Sequence, residues 1–350
     1  MEAIKKIGHN IELKGFVIHK ILKDAKSKDA TLKLASATLT ISDKETVFIA
    51  KVIDSYYKNT KRTYGIFEEE VNNKFKEALI EFNDQSLDFF PFSKRSMDFY
   101  KQIITTSAPA TGGFVVFAYY KNTDRNQFFM LVLTLNNKDG YSFNEVTLTV
   151  DNIKNLELNK IDVACLINIS AWNEIIDDTT ETDSRTYLSF VRGNKEISYY
   201  FMTFIGCENK TTSTASSKKL ATALHDYWKL KNYGKEIEYQ LRDKVFTYCN
   251  ECIKNKKEIS LSYVSSIIDI EHPTDFQEFA SGEDYQVNEI ISGDLKIFRG
   301  LKFVNFKSDD LSIEFSKDLV GVNKQIQYDE QANKLTISNI PDDLKYLILN

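Results

Sequence analysis

The chain has 350 residues, of which 42% are hydrophobic and 27% are charged, with only 13 glycines and 4 prolines. This composition excludes collagen-like and proline-rich disordered proteins, and the length is typical of two domains. Four cysteines are too few for a disulfide framework, and no apolar run reaches transmembrane length, so we expect a cytoplasmic globular protein with no membrane segment. The net charge of −5 argues against a protein that coats nucleic acid by its total charge.

The first part of the chain combines helical and strand-like patterns. A β-rich run predicts a strand over residues 31–41. Apolar residues at three- and four-residue spacing predict helices over 44–59 and 68–82, and Pro91 is expected to open a third helix. Two apolar runs, 113–121 and 127–136, are joined by a polar turn and predict a hairpin. Further strands are expected near 147–150, 162–169 and 187–192, and a helix over 196–205.

The polar stretch 208–217 is made of small residues without an apolar period, and it predicts a domain boundary. We expect a mixed α/β domain with antiparallel hairpins over 1–208, and a domain over 209–350 in which several helices are followed by a β-meander. The fold class is therefore α+β. In the second domain, helices are predicted over 217–231, 235–254, 260–268 and 274–280, strands over 298–306, 311–315, 325–328 and 334–338, and a last helix over 342–349.

Charge is unevenly distributed along the chain. Residues 1–63 contain 13 Lys or Arg against 7 Asp or Glu, and residues 210–257 contain 11 against 5, a basic surplus of six in each case. Residues 258–350 contain 8 against 17, a deficit of nine. Any affinity for a polyanion must therefore come from local basic patches.

The most concentrated basic stretch runs through the first two helices of the second domain, with aromatic residues interleaved. Such a helical face could follow a phosphate backbone, whereas the acids Glu236, Glu238 and Asp243 favour an ordinary solvated surface. Both interpretations stay open on composition alone. The candidate phosphate-contacting residues are Lys218, Lys219, Lys229, Lys231, Lys235 and Arg242, with Lys61 and Arg62 as a second cluster.

Other constellations have simpler explanations. Cys249 and Cys252 form a CxxC without a second ligand pair, so helix-core cysteines are favoured over a zinc or redox site. The four histidines are scattered, although His19 or His225 could serve an unrecognised chemistry. Gly112-Gly113 lacks the rest of a phosphate-loop pattern, and a tight turn into a buried strand suffices. An acidic loop with Asp177, Asp178, Glu181 and Asp183 could hold Mg²⁺, but a solvated loop is the default expectation.

Several short strings resemble, in the same order, segments of the nucleoid-associated family typified by NdpA and YejK. They extend from residue 64 towards the C-terminus, and their ordered combination is more specific than any one of them. The strings are YGIF at 64–67, GGFVVF at 112–117, SRTYLSFVRG at 184–193, FMTFIG at 201–206, YCNE at 248–251 and FQEF at 276–279.

The resemblance implies a cytoplasmic bacterial protein located at the nucleoid, with links to double-stranded DNA and to type II topoisomerases. It carries over no catalytic residue and no cofactor, so we expect a sequence-nonspecific DNA-binding protein rather than an enzyme. Two alternatives stay open: an adaptor that docks on a DNA-bound enzyme through the acidic C-terminal domain, and a phage-defence effector with nuclease activity at the acidic loop. A homodimer, which would double the number of phosphates reached, is compatible with the first interpretation.

Overall fold

The computed structural model describes residues 10–59, 62–68, 73–107, 110–136, 143–144, 146–150, 161–177, 186–192, 199–208 and 212–349. It confirms the predicted α+β class. The chain divides into two compact units, Met1–Thr211 and Thr212–Asn350, which we call unit 1 and unit 2. That the two units are independent domains stays a prediction. None of the helices in the described ranges is long and apolar enough to cross a membrane.

Unit 1 alternates strands and helices along the chain. Its first helix begins where predicted, because Ser42 and Glu45 form a reciprocal capping box. The elements are β1 (Ile11–Leu22), β2 (Thr31–Lys33), α1 (Asp43–Lys58), β3 (Thr63–Phe67), α2 (Lys74–Asn83), α3 (Phe89–Thr106), β4 (Gly113–Asn122), β5 (Gln127–Asn136), β6 (Phe143–Asn144), β7 (Thr149–Val150), β8 (Ile161–Asn168), α4 (Ile169–Asp177), β9 (Leu188–Arg192), α5 (Tyr199–Ile205) and β10 (Cys207–Glu208).

Eight of these strands form one antiparallel sheet in the order β10-β3-β9-β8-β5-β4-β1-β2. Successive residues of a strand point to opposite faces, so β4 contributes to two apolar layers. Val115 and Phe117 pack with side chains of α2, α3 and α5, whereas Val116 and Ala118 pack with side chains of α1. The sheet is therefore covered on both faces.

The predicted hairpin over 113–121 and 127–136 is confirmed by β4 and β5, which pair along their whole length. The strand predicted over 31–41 is wrong beyond its first three residues, because only Thr31–Lys33 pairs with β1. Strand β1 was not predicted. Its residues 15–21 are all buried, including His19 and Lys20, because it is covered on both faces, and such a strand lacks the alternation that marks a half-buried one.

The residue before β4, Gly112, lies where two backbone segments approach closely. Its N–H donates to the carbonyl oxygen of Lys23 at 2.8 Å. A Cβ atom at this position would stand 2.3 Å from the carbonyl oxygen of Ile21 and 2.6 Å from the backbone nitrogen of Lys23. Gly112 is thus required by this backbone contact, and it leads directly into the buried strand β4.

We expect Gly112→Ala to lower the free energy of unfolding by about 2 kcal/mol, because the backbone of β1 must shift to admit the methyl group. Gly300→Ala is the matched control, since a Cβ there would meet no atom within 4 Å apart from its chain neighbours and the backbone of its own helix. Urea denaturation of both variants measures the difference. Equal effects of the two substitutions would contradict this account of Gly112.

His19 is buried in β1, and both nitrogen atoms of its ring form hydrogen bonds inside the protein. Its Nδ1 accepts from the Ala35 N–H at 3.1 Å, which leaves the proton on Nε2 to be donated to Ser93 Oγ at 3.0 Å. Ser93 in turn donates to the Phe90 carbonyl at 2.8 Å. Burial, and then the charge of Lys94, lower the pKa of His19 to about 4. The imidazole is a neutral structural group, which leaves no free proton acceptor for catalysis.

We expect this histidine to make unit 1 sensitive to acid. The unfolded chain takes up a proton near pH 6.5, whereas the folded chain resists protonation until about pH 4. Stability is therefore fully present above pH 6.5 and is lost as the pH falls, by about 2–3 kcal/mol between pH 7 and 4.5. His19→Gln should show a correspondingly smaller loss in urea denaturation, whereas the exposed-site control His225→Gln should behave like the unaltered protein.

Unit 2 begins with helices and ends with two hairpins and a helix. Its core contains Cys249 and Cys252, both buried and free, which confirms the interpretation of the CxxC as helix-core cysteines. The elements are α6 (Ser213–Lys231), α7 (Lys235–Lys254), β11 (Ile259–Ser260), α8 (Leu261–Ile268), α9 (Asp275–Ala280), β12 (Ile290–Ile291), α10 (Leu295–Lys302), β13 (Phe303–Lys307), β14 (Ser312–Ser316), β15 (Ile326–Asp329), β16 (Lys334–Ile337) and α11 (Asp342–Leu349).

The predicted strand over 298–306 is wrong in its first part, which belongs to helix α10. Asp294 caps this helix by accepting from the Lys296 N–H, and Phe298 and Leu301, three residues apart, face the core. The strands that follow form two separate hairpins, β13–β14 and β15–β16.

Candidate nucleic-acid interface

Helix α6 carries four of the eight predicted basic residues. Thr212 caps it by accepting from the Ala215 N–H, and the helix ends at Asn232, whose φ of 49° and ψ of 47° place it in the left-handed region. Leu220, Leu224 and Trp228 fix the rotation of the helix because they are buried in the core of unit 2. The rotation decides which lysines face solvent.

One face of α6 consists of exposed residues and carries basic side chains. It consists of Lys218, Thr222, His225 and Lys229, which we call the α6 stripe. These positions recur at three- and four-residue spacing and therefore lie on one side of the helix. Neither lysine of the stripe forms an ion pair with a described acidic residue. Lys235, the first residue of α7, is also exposed and follows the short turn after α6.

Lys231 faces away from the stripe. It is two residues after Lys229, which rotates it by about 200° around the helix axis. Its ammonium group lies 3.4 Å from a carboxylate oxygen of Asp275 and 5.2 Å from the ring centroid of Tyr227. These contacts neutralise the charge locally, so sequence adjacency to Lys229 does not place Lys231 in the same patch.

The two candidate arginines are engaged inside their own units. Arg242 donates from Nε to a Glu238 carboxylate oxygen at 2.8 Å and lies 4.9 Å from the Trp228 ring centroid. Arg62 has only 3% of its surface exposed, donates to the Tyr57 carbonyl and stacks on the Tyr57 ring. We therefore leave both out of the candidate interface. Lys61 lies outside the described residues.

Lys219, next to Lys218 in sequence, has its ammonium group buried. No described hydrogen-bond partner meets its Nζ atom, and burial lowers the pKa of Lys219 to about 8. A lysine that keeps its charge without a partner in a poorly solvated position destabilises the folded state. Lys219 therefore lowers the free energy of unfolding, and its amine does not reach solvent.

We expect Lys219→Met to raise the free energy of unfolding at pH 7 by about 2 kcal/mol, since it removes an unpaired buried charge. The folded pKa lies below the unfolded one, so the stability of the unaltered protein should itself rise between pH 8 and 10 as the folded chain loses this proton first. The advantage of Lys219→Met should shrink over the same range. Lys218→Met serves as the exposed-neighbour control, and an equal response of both variants would contradict the assignment.

A group of exposed lysines was missed as a site. Lys254, Lys256 and Lys257 lie at the end of α7 and just beyond it, with no ion pair to an acid in the described ranges. The basic surplus of residues 210–257 was the available signal, but it does not show which lysines are exposed. Positive charges at a helix C-terminus also interact favourably with the helix dipole, so these lysines have a structural explanation as well.

The alternative nuclease site cannot be located. Asp178, Glu181 and Asp183 lie outside the described residues, and Asp177 is the last residue of α4. Within the described residues, no group of three or more histidine, cysteine, aspartate or glutamate side chains is arranged to hold a metal ion.

Comparison with known proteins defines the class. Relatives include nucleoid-associated proteins of Metapseudomonas resinovorans (27% identity; 95% of this chain and 98% of the relative), Pseudomonas entomophila (26%; 94% and 96%) and Pseudomonas aeruginosa strain UCBPP-PA14 (26%; 95% and 96%). The family model described as nucleoid-associated protein YejK matches residues 17–345. The chain therefore belongs to the YejK family of nucleoid-associated proteins, which confirms the resemblance. The expected topoisomerase partner stays a prediction.

Proposed function

We propose that this chain binds double-stranded DNA at the nucleoid without sequence specificity, and that the α6 stripe together with Lys235 contacts the phosphate backbone. The observation that carries the proposal is the pair Lys218 and Lys229, two exposed lysines on one face of one helix, with no acidic partner among the described residues. Because the chain belongs to a family of nucleoid-associated proteins, DNA is the polyanion that we propose these lysines bind.

The spacing of the two lysines suits a duplex. They are eleven residues apart on α6, which corresponds to about 16 Å along the helix axis. This distance exceeds the major-groove width of about 12 Å, so a helix lying across the groove can contact phosphates on both sides. The hydroxyl of Thr222 and the imidazole of His225, between the lysines, are further donors for backbone oxygens.

The charge balance explains why binding must be local. The chain as a whole carries −5, so DNA is repelled by the acidic regions and attracted only where lysines stand without acids nearby. Contacts to phosphates carry no sequence information, which makes the expected binding nonspecific and steeply dependent on salt.

We expect Lys218→Glu with Lys229→Glu to weaken binding at least tenfold on every duplex tested. Because each lost phosphate contact removes about 0.9 from the slope of log affinity against log salt, the slope should fall by roughly two. Fluorescence anisotropy of a labelled duplex at several salt concentrations measures both quantities.

The control must change the charge equally without touching the stripe. Lys26→Glu with Lys28→Glu replaces two exposed lysines in unit 1 and should preserve most of the affinity and the slope. Lys219→Gln should also bind normally, because its amine is buried. Wild-type affinity of the stripe variant, or equal loss in the Lys26 and Lys28 control, would remove the α6 stripe as the binding surface.

A further inference from the structure

Unit 2 contains a cavity that shares no residue with the α6 stripe. It lies where helix α7, the end of α10 and the end of β14 meet, and its volume is about 290 Å³. We call it the α7 cavity. Cavities that hold small ligands begin at about 300 Å³, so this space suits a small molecule and is too small for a duplex.

The lining of the α7 cavity carries a net positive charge. Three of its side chains are cationic, those of Arg242, Lys302 and Lys317, and two are carboxylates, those of Asp243 and Asp318, which leaves +1. Lys302 donates to the Asp243 carboxylate, so these two charges neutralise each other. The two cations that can bind an added anion are therefore Arg242 and Lys317.

Arg242 is held in place with part of its guanidinium unused. Its Nε and Nη2 atoms donate to Glu238, and its guanidinium carbon lies 4.9 Å from the ring centroid of Trp228. Its Nη1 atom has no hydrogen-bond partner among the described residues. A guanidinium that is already immobilised loses little conformational entropy when it binds an anion.

Lys317 is half-buried and has no described counter-ion. Its ammonium group donates to the carbonyl oxygen of Gly300, in the last turn of α10, and it forms no ion pair with an acidic residue of the described ranges. An ammonium group has three donors, so two remain for another acceptor. The contact with Gly300 explains where the ammonium group is held but leaves its charge uncompensated.

The two cations also act on each other. Burial, and then the charge of Arg242, lower the pKa of Lys317, and the charge of Glu238 offsets part of this effect. Like charges that line one partly buried cavity repel each other. An anion bound by both would replace this repulsion with charge-assisted hydrogen bonds.

The uncharged part of the lining fits a nucleotide base. Tyr239 is half-buried and lines the cavity, and the ammonium group of Lys324 lies 5.1 Å from the centroid of its ring. A planar base can stack on an aromatic ring of this kind. The amide of Gln240, which also lines the cavity, can donate to and accept from the edge of a base.

We propose that the α7 cavity binds a small phosphorylated molecule of the size of a nucleoside monophosphate. Arg242 and Lys317 hold the phosphate, and Tyr239 lies against the base. The inference does not depend on the proposed binding of DNA by the α6 stripe, and its test contains no DNA.

The test is isothermal titration calorimetry of the full chain with adenosine 5′-monophosphate, compared with adenosine. The monophosphate should bind with a dissociation constant below about 1 mM. Adenosine should bind at least tenfold more weakly, because it lacks the group that the two cations hold. Lys317→Gln should weaken binding of the monophosphate by a similar factor, since one of these cations is removed.

Lys307→Gln is the matched control, because it removes the same charge from an exposed lysine of β13 that does not line the cavity. This variant should bind the monophosphate like the unaltered protein. Undetectable binding of the monophosphate, equal binding of adenosine, or equal effects of Lys317→Gln and Lys307→Gln would overturn the proposal.

Hydrogen exchange locates the site even where Lys317→Gln does not fold. In the unaltered protein, the monophosphate should slow amide exchange over residues 239–243 and 316–318, which contain the cavity lining of α7 and of the end of β14. Exchange at Lys218 and Lys229 should not change. Protection confined to the α6 stripe would place the ligand on the stripe instead and would contradict the assignment to the α7 cavity.

Discussion

Unit 1 depends on a sheet that has to be covered on both faces. Successive residues of β4 and β5 point to opposite faces of the sheet, and apolar side chains lie on both faces. Water must be excluded from each face for the hydrophobic effect to stabilise the fold. This requirement places α1 on one side and α2, α3 and α5 on the other. It also explains why polar groups inside β1, such as His19, need internal partners rather than solvent.

The same requirement decides which parts of the fold could be predicted. The β4–β5 hairpin and helix α7 follow from periodicity because their patterns are long and their ends carry turn or cap residues. Strand β1 does not follow, since burial of both faces removes the alternating pattern and Lys20 and His19 interrupt the apolar run. Helix α10 directly precedes β13 in sequence, so its apolar residues Phe298 and Leu301 extend the strand-like pattern, although Asp294 is the N-cap of a helix.

The sequence predicts where the candidate interface lies, but not which residues belong to it. Charge counting finds α6 and α7, yet Lys218 and Lys219 differ only in the direction in which the helix points them. Which basic side chains are free depends on their packing partners: Asp275 for Lys231, and the Trp228 ring together with Glu238 for Arg242. These partners come from packing, which a single sequence does not reveal. Of the seven candidates that the structure describes, exposure and local contacts leave three, Lys218, Lys229 and Lys235.

The α6 stripe of unit 2 is polar, and its attraction to phosphates weakens as salt screens charge. The chain as a whole carries −5, so repulsion from its acidic residues opposes the approach of DNA everywhere else. An acidic chain with a few free lysines can still bind DNA, because these lysines lie on one face of one helix and can contact phosphates of the same duplex segment together.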